Sequence, residues 1–279
     1  MCLAGTVEAL RRRAPHRLDI LATHPGHADR LRNTWRHLQR YLNRLLTAGD
    51  VGRPHRTDLT QVFRPGFPVS VFDAPVCEQL HLDDVEGYHN QRWTFTEHSG
   101  THVDAPAHLV PGAATSADVA LDDFFLPLAV IDLRIKVRAD VDATLDISDL
   151  VAYERTHGRI PTDAAVVLQS GWDRRATDPD AFTNQGPDGL FHSPGFADSA
   201  AAWLLENRSV RCLGTDTLST DPGNSTTYPV HYRWLRTGRY QLEGLAQLDQ
   251  VPPAGARIFV GLPPWANGSG GPCRVLAQY

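Results

Sequence analysis

The hydrophobic and polar positions along the chain fall into two rhythms. Residues 126–133 (LPLAVIDL) and 164–168 (AAVVL) are short aliphatic, β-branched runs with the length and composition of buried strands. Between them, 148–157 reads as a helix, with Asp146 or Ser148 placed to cap its start and Gly158 just past its end. A second helix is predicted over 197–207, followed by a strand at 210–214. His231 opens a short helix that Gly238 would end, and the RYQLEGL segment around Glu243 is strand-like. Residues 257–261 and 274–277 close the chain as strands. Strands alternating with helices predict an α/β layered fold. The stretch 173–195 is rich in Pro, Gly, Asp and Asn and predicts a long loop, either a lid or binding loop or a plain surface insertion.

The first 50 residues differ from the rest. They carry nine arginines, and 29–47 predicts a helix with Leu31, Trp35, Leu38, Leu42, Leu45 and Leu46 on one stripe. Arg32, Arg36, Arg40 and Arg44 form a second stripe, which is either a solvated face or faces an acidic partner. A linker follows, dividing the chain into an Arg-rich helical extension at 1–54 and a main domain at 55–279.

Composition narrows the classes. With 27 basic and 32 acidic residues the net charge is −5, which argues against a nucleic-acid partner. No apolar run has the length of a membrane span. Pro15, His16 and Arg17 follow the opening Arg11–Arg13 run where a signal sequence would be apolar. The four cysteines are scattered with no paired spacing, so neither a disulfide framework nor a thiolate zinc site is predicted and a reducing cytoplasm is expected.

The chemistry concentrates in residues 98–108, HSGTHVDAPAH. His98, His102, Asp104 and His108 are separated by even offsets, which share a face on extended chain but not on a helix. Four residues of strand span about 13 Å, far more than the reach of one ion, so the chain must bend between His98 and His102, where Gly100 permits it. Pro106 suits a second bend before His108. Imidazoles with a carboxylate suit Zn²⁺, Mn²⁺ or Fe²⁺ better than Ca²⁺ or Mg²⁺. Near the C-terminus His231 and Glu243 form a second constellation. Glu243 lies among apolar residues, and a buried carboxylate needs a partner, either a cation or an arginine.

The pattern H-x-G-T-H-x-D-x-P-x-H resembles that of the cyclase family of metal-dependent hydrolases, whose members include bacterial kynurenine formamidases and isatin hydrolases. The resemblance extends to GTDTLSTDP at 214–222, Pro-Val-His231, Leu-Glu243-Gly and the closing Arg274–Ala277. It implies a swivelling β/β/α fold and a homo-oligomer, a dimer or tetramer. It implies that His98, His102 and Asp104 bind a first Zn or Mn, and that in two-metal members Asp104, His231 and Glu243 hold the pair. His108 is then the catalytic acid/base or a ligand of the second ion; in that second case Glu243 bridges. By position Phe72 is the candidate aromatic contact to substrate, or else a core residue.

A metal with an open position would lower the pKa of bound water toward 7 and polarise a carbonyl, chemistry that suits hydrolysis of an amide, lactam or lactone of a small aromatic or cyclic substrate. The Thr101 hydroxyl is a candidate donor to the developing oxyanion. Asp216 and Asp221 either orient ligand histidines from outside the metal shell or serve turn chemistry. Trp172 either lines the pocket or is core. The same Lewis-acid site would also serve a biosynthetic tailoring cyclase or dehydratase.

Overall fold

The computed structural model describes residues 54–69, 73–81 and 87–279. The predicted 29–47 helix with its arginine stripe, and Phe72, lie outside the described residues. The strands, in chain order, are β1 (Arg56–Asp58), β2 (Val76–His81), β3 (Asn90–Thr94), β4 (His102–Asp104), β5 (Phe125–Asp132), β6 (Thr144–Leu145), β7 (Ala165–Gln169), β8 (Gly195–Phe196), β9 (Cys212–Thr215), β10 (Tyr240–Glu243), β11 (Ala256–Gly261), β12 (Gly270–Pro272) and β13 (Arg274–Gln278). Nine of them form one sheet in the order β1-β13-β11-β5-β7-β9-β10-β4-β12. The central pairs β5–β7, β7–β9 and β9–β10 are parallel, and antiparallel strands extend the sheet on both sides.

Period-two alternation sorts the side chains of this sheet onto two faces. Leu126, Leu128 and Val130 of β5 share one face with Val167, Leu242, Ile258 and Val275, and the sheet curls around this apolar interior. Ala129 and Ile131 point the other way, with Val166, Leu168 and Leu213, toward the helices. Because both faces are covered, the parallel strands read as continuous apolar runs, which is why 164–168 was legible as a strand.

The helices are α1 (Arg134–Ala139), α2 (Ile147–His157), α3 (Pro179–Thr183), α4 (Asp198–Arg208) and α5 (Pro229–Leu235). Leu150 and Tyr153 of α2, Ala200, Ala201 and Leu204 of α4, and Val230 and Trp234 of α5 cover the second face. α2 begins as expected: the Asp146 carboxylate accepts from the backbone N–H of Ser148 and Asp149, and the Asp149 carboxylate accepts from Asp146 N–H. Lys136 adds bonds of 3.0 Å and 2.7 Å to those two carboxylates.

The 173–195 stretch is more ordered than its composition predicted. It opens on a 3-10 turn at Trp172–Arg175 and continues into α3, where Asp178 caps the first turn and Pro179 fits the first helical position. Phe182 of α3 is buried beside Phe67, with Trp172 in the same cluster. That apolar anchor fixes the segment, and its remaining half, through 193, stays irregular and faces the site.

Candidate metal centre

β4 and β10 are antiparallel neighbours whose register pairs Glu243 with His102, Leu242 with Val103 and Gln241 with Asp104. Val103 and Leu242 join the apolar interior. Alternation therefore sends His102, Asp104 and Glu243 together to the helix side of the sheet; a one-residue slip would bury them in the hydrophobic core. The bend expected at Gly100 is there, with φ at +70°. It brings the Gly100 carbonyl 3.0 Å from His102 Nδ1, which donates to it and leaves Nε2 toward the carboxylates. His102 Nε2 lies 3.3 Å from Asp104 Oδ1 and 3.5 Å from Glu243 Oε2.

α5 delivers His231 from above. Its N-cap position is Tyr228, whose side chain makes no cap bond. The Asp221 carboxylate takes that place, accepting from Val230 N–H at 2.9 Å and His231 N–H at 3.0 Å. The same carboxylate accepts from His231 Nδ1 at 2.7 Å. His231 Nε2 is thereby aimed at the sheet, 3.2 Å from both Asp104 Oδ2 and Glu243 Oε1. His98 Nδ1 sits 2.6 Å from Asp104 Oδ1. The chain then makes the turn expected at Pro106, a 3-10 helix at Pro106–His108, and sets the His108 ring 3.9 Å from that of His98, tilted by 39°. The even-offset reading is corrected in one respect: only His102 to Asp104 is strand, and His98 and His108 reach the centre from turns on either side.

Three imidazoles thus flank the two oxygens of Asp104, with Oδ1 facing His98 and His102 and Oδ2 facing His231. The donor atoms of His98, Asp104 and His108 lie within 4.8 Å of one another, as do those of His102, Asp104 and Glu243. Burial raises the pKa of Asp104, but His98, His102 and His231 outweigh it and hold the carboxyl well below its ordinary value. Burial would lower His102, yet Asp104 and Glu243 carry it up to about 9, and the same contest resolves upward at His231. Positive charge on His102 and His231 is thus favoured beside Asp104, a charge that a divalent cation would supply on binding. The donors are all imidazole nitrogen and carboxylate oxygen, a set that fits Zn or Mn. His108 differs: desolvation takes it down to about 4, keeping it neutral.

A cavity of about 260 Å³ opens over these residues. Its walls are largely apolar, with Leu109, Phe191, Leu218, Pro222 and Tyr228 among them. Thr183, Phe191 and Ser193 of the 173–195 stretch form part of the cavity wall.

Three expected positions are corrected. Trp172 is 1% exposed, donates from Nε1 to Phe182 O and packs with Phe67 away from the cavity lining. The Thr101 hydroxyl is spent on Gly244 O at 2.6 Å and accepts from Gln61 N–H, so it ties two backbone segments together. Asp216 orients no ligand histidine. Its carboxylate accepts from the backbone N–H groups of Ser170, Gly171 and Trp172, and it builds the turn after β7. Burial pushes it up to about 7 against those bonds. Asp221, five residues on in the same loop, is the one that holds His231. Phe191 and Tyr228 were missed. Tyr228 stands three residues before His231, one turn of helix away, and that spacing was the available signal.

The Cyclase family model matches residues 57–222. An isatin hydrolase of Roseibium aggregatum is 35% identical over 189 residues, 65% of this chain and 71% of that protein. A kynurenine formamidase of Erythrobacter litoralis is 30% identical over 224 residues, 79% of this chain and 92% of its own. Among solved structures, isatin hydrolase A from Ralstonia solanacearum superposes with a TM-score of 0.77 at 35% identity, over 85% of this chain and 96% of that one. An isatin hydrolase bound to the product analogue thioisatinate gives 0.78 at 28% identity, over 86% and 98%. These likenesses extend to the mixed α/β architecture with its curled sheet.

Proposed function

The chain belongs to the cyclase family and is a metal-dependent hydrolase; on that footing we propose that it opens the C–N bond of a small aromatic lactam or N-acyl arylamine. The observation that carries the reading is the meeting of three carboxylate-paired histidines with Asp104 and Glu243 at the base of an apolar cavity of about 260 Å³. That volume suits a one- or two-ring substrate, in keeping with relatives named isatin hydrolase and kynurenine formamidase.

We assign His98, His102 and Asp104 to one ion and Asp104, His231 and Glu243 to a second, each Zn or Mn. The division of the two Asp104 oxygens between these groups supports it. A bound ion supplies Lewis acidity, polarising the carbonyl and bringing the pKa of water toward 7. Leu109, Phe191 and Tyr228 grip the aromatic ring and exclude bulk water. His108, half-buried on the cavity wall and neutral, takes the proton of the attacking water on a ring nitrogen and returns it to the departing nitrogen. Water is added across the C–N bond, giving a carboxylate and an amine.

We also infer a homodimer or tetramer, for which the surface aromatics Phe63, Trp93 and Phe95 offer contact area, and a cytoplasmic enzyme, in keeping with free thiols at Cys77, Cys212 and Cys273. Among the described residues no helix is long and apolar enough to cross a membrane.

The test is turnover of isatin, N-formylkynurenine and an aryl lactone by protein loaded with Mn²⁺ or Zn²⁺, with metal content measured alongside. Metal-dependent opening of at least one of the two C–N substrates is expected. His102→Ala should lose metal and activity together. His108→Ala should keep metal and lose roughly 10²–10⁴ in kcat. Metal-loaded protein inert toward all three would refute the proposed substrate class.

A further inference from the structure

The segment that leads into and opens β12, Asn267-Gly-Ser-Gly-Gly, lies directly against His98. Ser269 Oγ is 2.9 Å from His98 Nε2, the ring nitrogen turned away from Asp104. Ser269 also donates twice to Glu97 Oε2, from its hydroxyl at 2.6 Å and its backbone N–H at 3.0 Å. A continuous path therefore runs from the Glu97 carboxylate through one hydroxyl to the imidazole edge of His98.

The loop is mounted rigidly enough to hold that path. Ala105 N–H donates to Ser269 O at 2.9 Å, tying the loop to the residue after Asp104. The buried Ser116 hydroxyl lies within bonding distance of the carbonyls on both flanks, Gly268 O at 3.1 Å and Gly270 O at 2.8 Å. Close approach explains a glycine here: a Cβ on Gly270 would stand 2.7 Å from His98 Cε1. The same Cβ would also collide with Val103 O, so both the neighbouring strand and the imidazole exclude a side chain here.

We propose that Glu97 and Ser269 are positioning residues for the metal centre, fixing His98 with its proton on Nε2 so that Nδ1 is the ligand atom. The Glu97 carboxylate accepts the Ser269 O–H, which turns the Ser269 lone pairs toward His98 and makes the hydroxyl an acceptor for Nε2–H. The lone pair of Nδ1 is then left facing Asp104 and the ion. A carboxylate behind an imidazole raises its basicity as a ligand, and removing such a partner typically costs 10–100-fold in metal affinity. The other two imidazoles are held by different means, His102 by a backbone carbonyl and His231 by Asp221, so each arm of the centre carries its own acceptor. This inference rests on the metal reading above.

The experiment is Mn²⁺ and Zn²⁺ affinity of the full chain by chelator competition, for wild type, Ser269→Ala, Glu97→Gln and the double variant, with thermal midpoints of the metal-free proteins as the control for folding. Ser269→Ala should weaken binding 10–100-fold at a nearly unchanged metal-free midpoint. Glu97→Gln should weaken it less, because its amide oxygen still accepts the hydroxyl. The double variant should be no worse than Ser269→Ala, since Glu97 acts through Ser269. In the zinc-loaded protein one slowly exchanging imidazole N–H resonance should vanish with Ser269→Ala. Wild-type affinity in Ser269→Ala, or additive losses in the double variant, overturns the relay alone. Wild-type protein that takes up neither metal overturns the metal reading and the relay with it.

Discussion

His231 shows how one carboxylate can set a ligand. Asp221 satisfies two backbone donors at the start of α5 and the outer ring nitrogen of His231 with the same two oxygens. Asp221→Ala should therefore weaken metal binding about 10–100-fold, read by chelator competition. Asp216→Asn, whose bonds go to the 170–172 turn, should lower the unfolding midpoint and leave metal affinity unchanged. Substrate contacts divide in the same way. Phe191→Ala should raise KM about 10- to 150-fold, because a buried aromatic contact contributes roughly 1.5–3 kcal/mol. Trp172→Phe should cost stability with KM unchanged, since its indole is occupied by Phe182 O and the Arg175 guanidinium 3.8 Å away.

At the scale of the element, α2 is pinned at its start by charge. The Ser148 hydroxyl holds the Asp146 carboxyl down, against slight burial and with help from Lys136, to about 2. A group depressed in the folded state contributes stability above its unfolded pKa, near 3.8, and loses it as the pH falls toward 2. Asp146→Ala should therefore destabilise the protein by about 1 kcal/mol at neutral pH. In urea titrations between pH 4 and pH 2 that difference should shrink toward zero; a constant difference would mean that the cap acts without its charge. The β4–β10 pair has no such local signature. Its three-residue register is imposed by Val103 and Leu242 packing inward, and the ligands face the helices as a consequence.

Over the whole molecule, the centre draws on segments far apart in the chain: the 98–108 turn-strand-turn, the start of α5, and β10. An ion held by all of them binds the folded state alone and stabilises it by RT ln(1 + [M]/Kd), about 2.7 kcal/mol at a hundredfold excess over Kd. Chelation should lower the calorimetric midpoint by several degrees, reversibly on adding Mn²⁺ or Zn²⁺, while His102→Ala should not respond.

Much of this was legible in the order of residues. The strands β5 and β7, the capped helix α2, the helix α4 and the bend at Gly100 follow from local propensity and periodicity, which act over a few neighbours. So does the grouping of His98, His102, Asp104 and His108, because eleven residues with a glycine and a proline can bring them together only by turning. Tertiary structure decided what distance in sequence hides. It chose Asp221 over Asp216 as the partner of His231, placed Trp172 in the core and Phe191 on the cavity wall, and laid Ser269 and Glu97 behind His98 across a separation of 172 residues. Local pattern says which side chains can do chemistry; the packing of two sheet faces decides which of them meet.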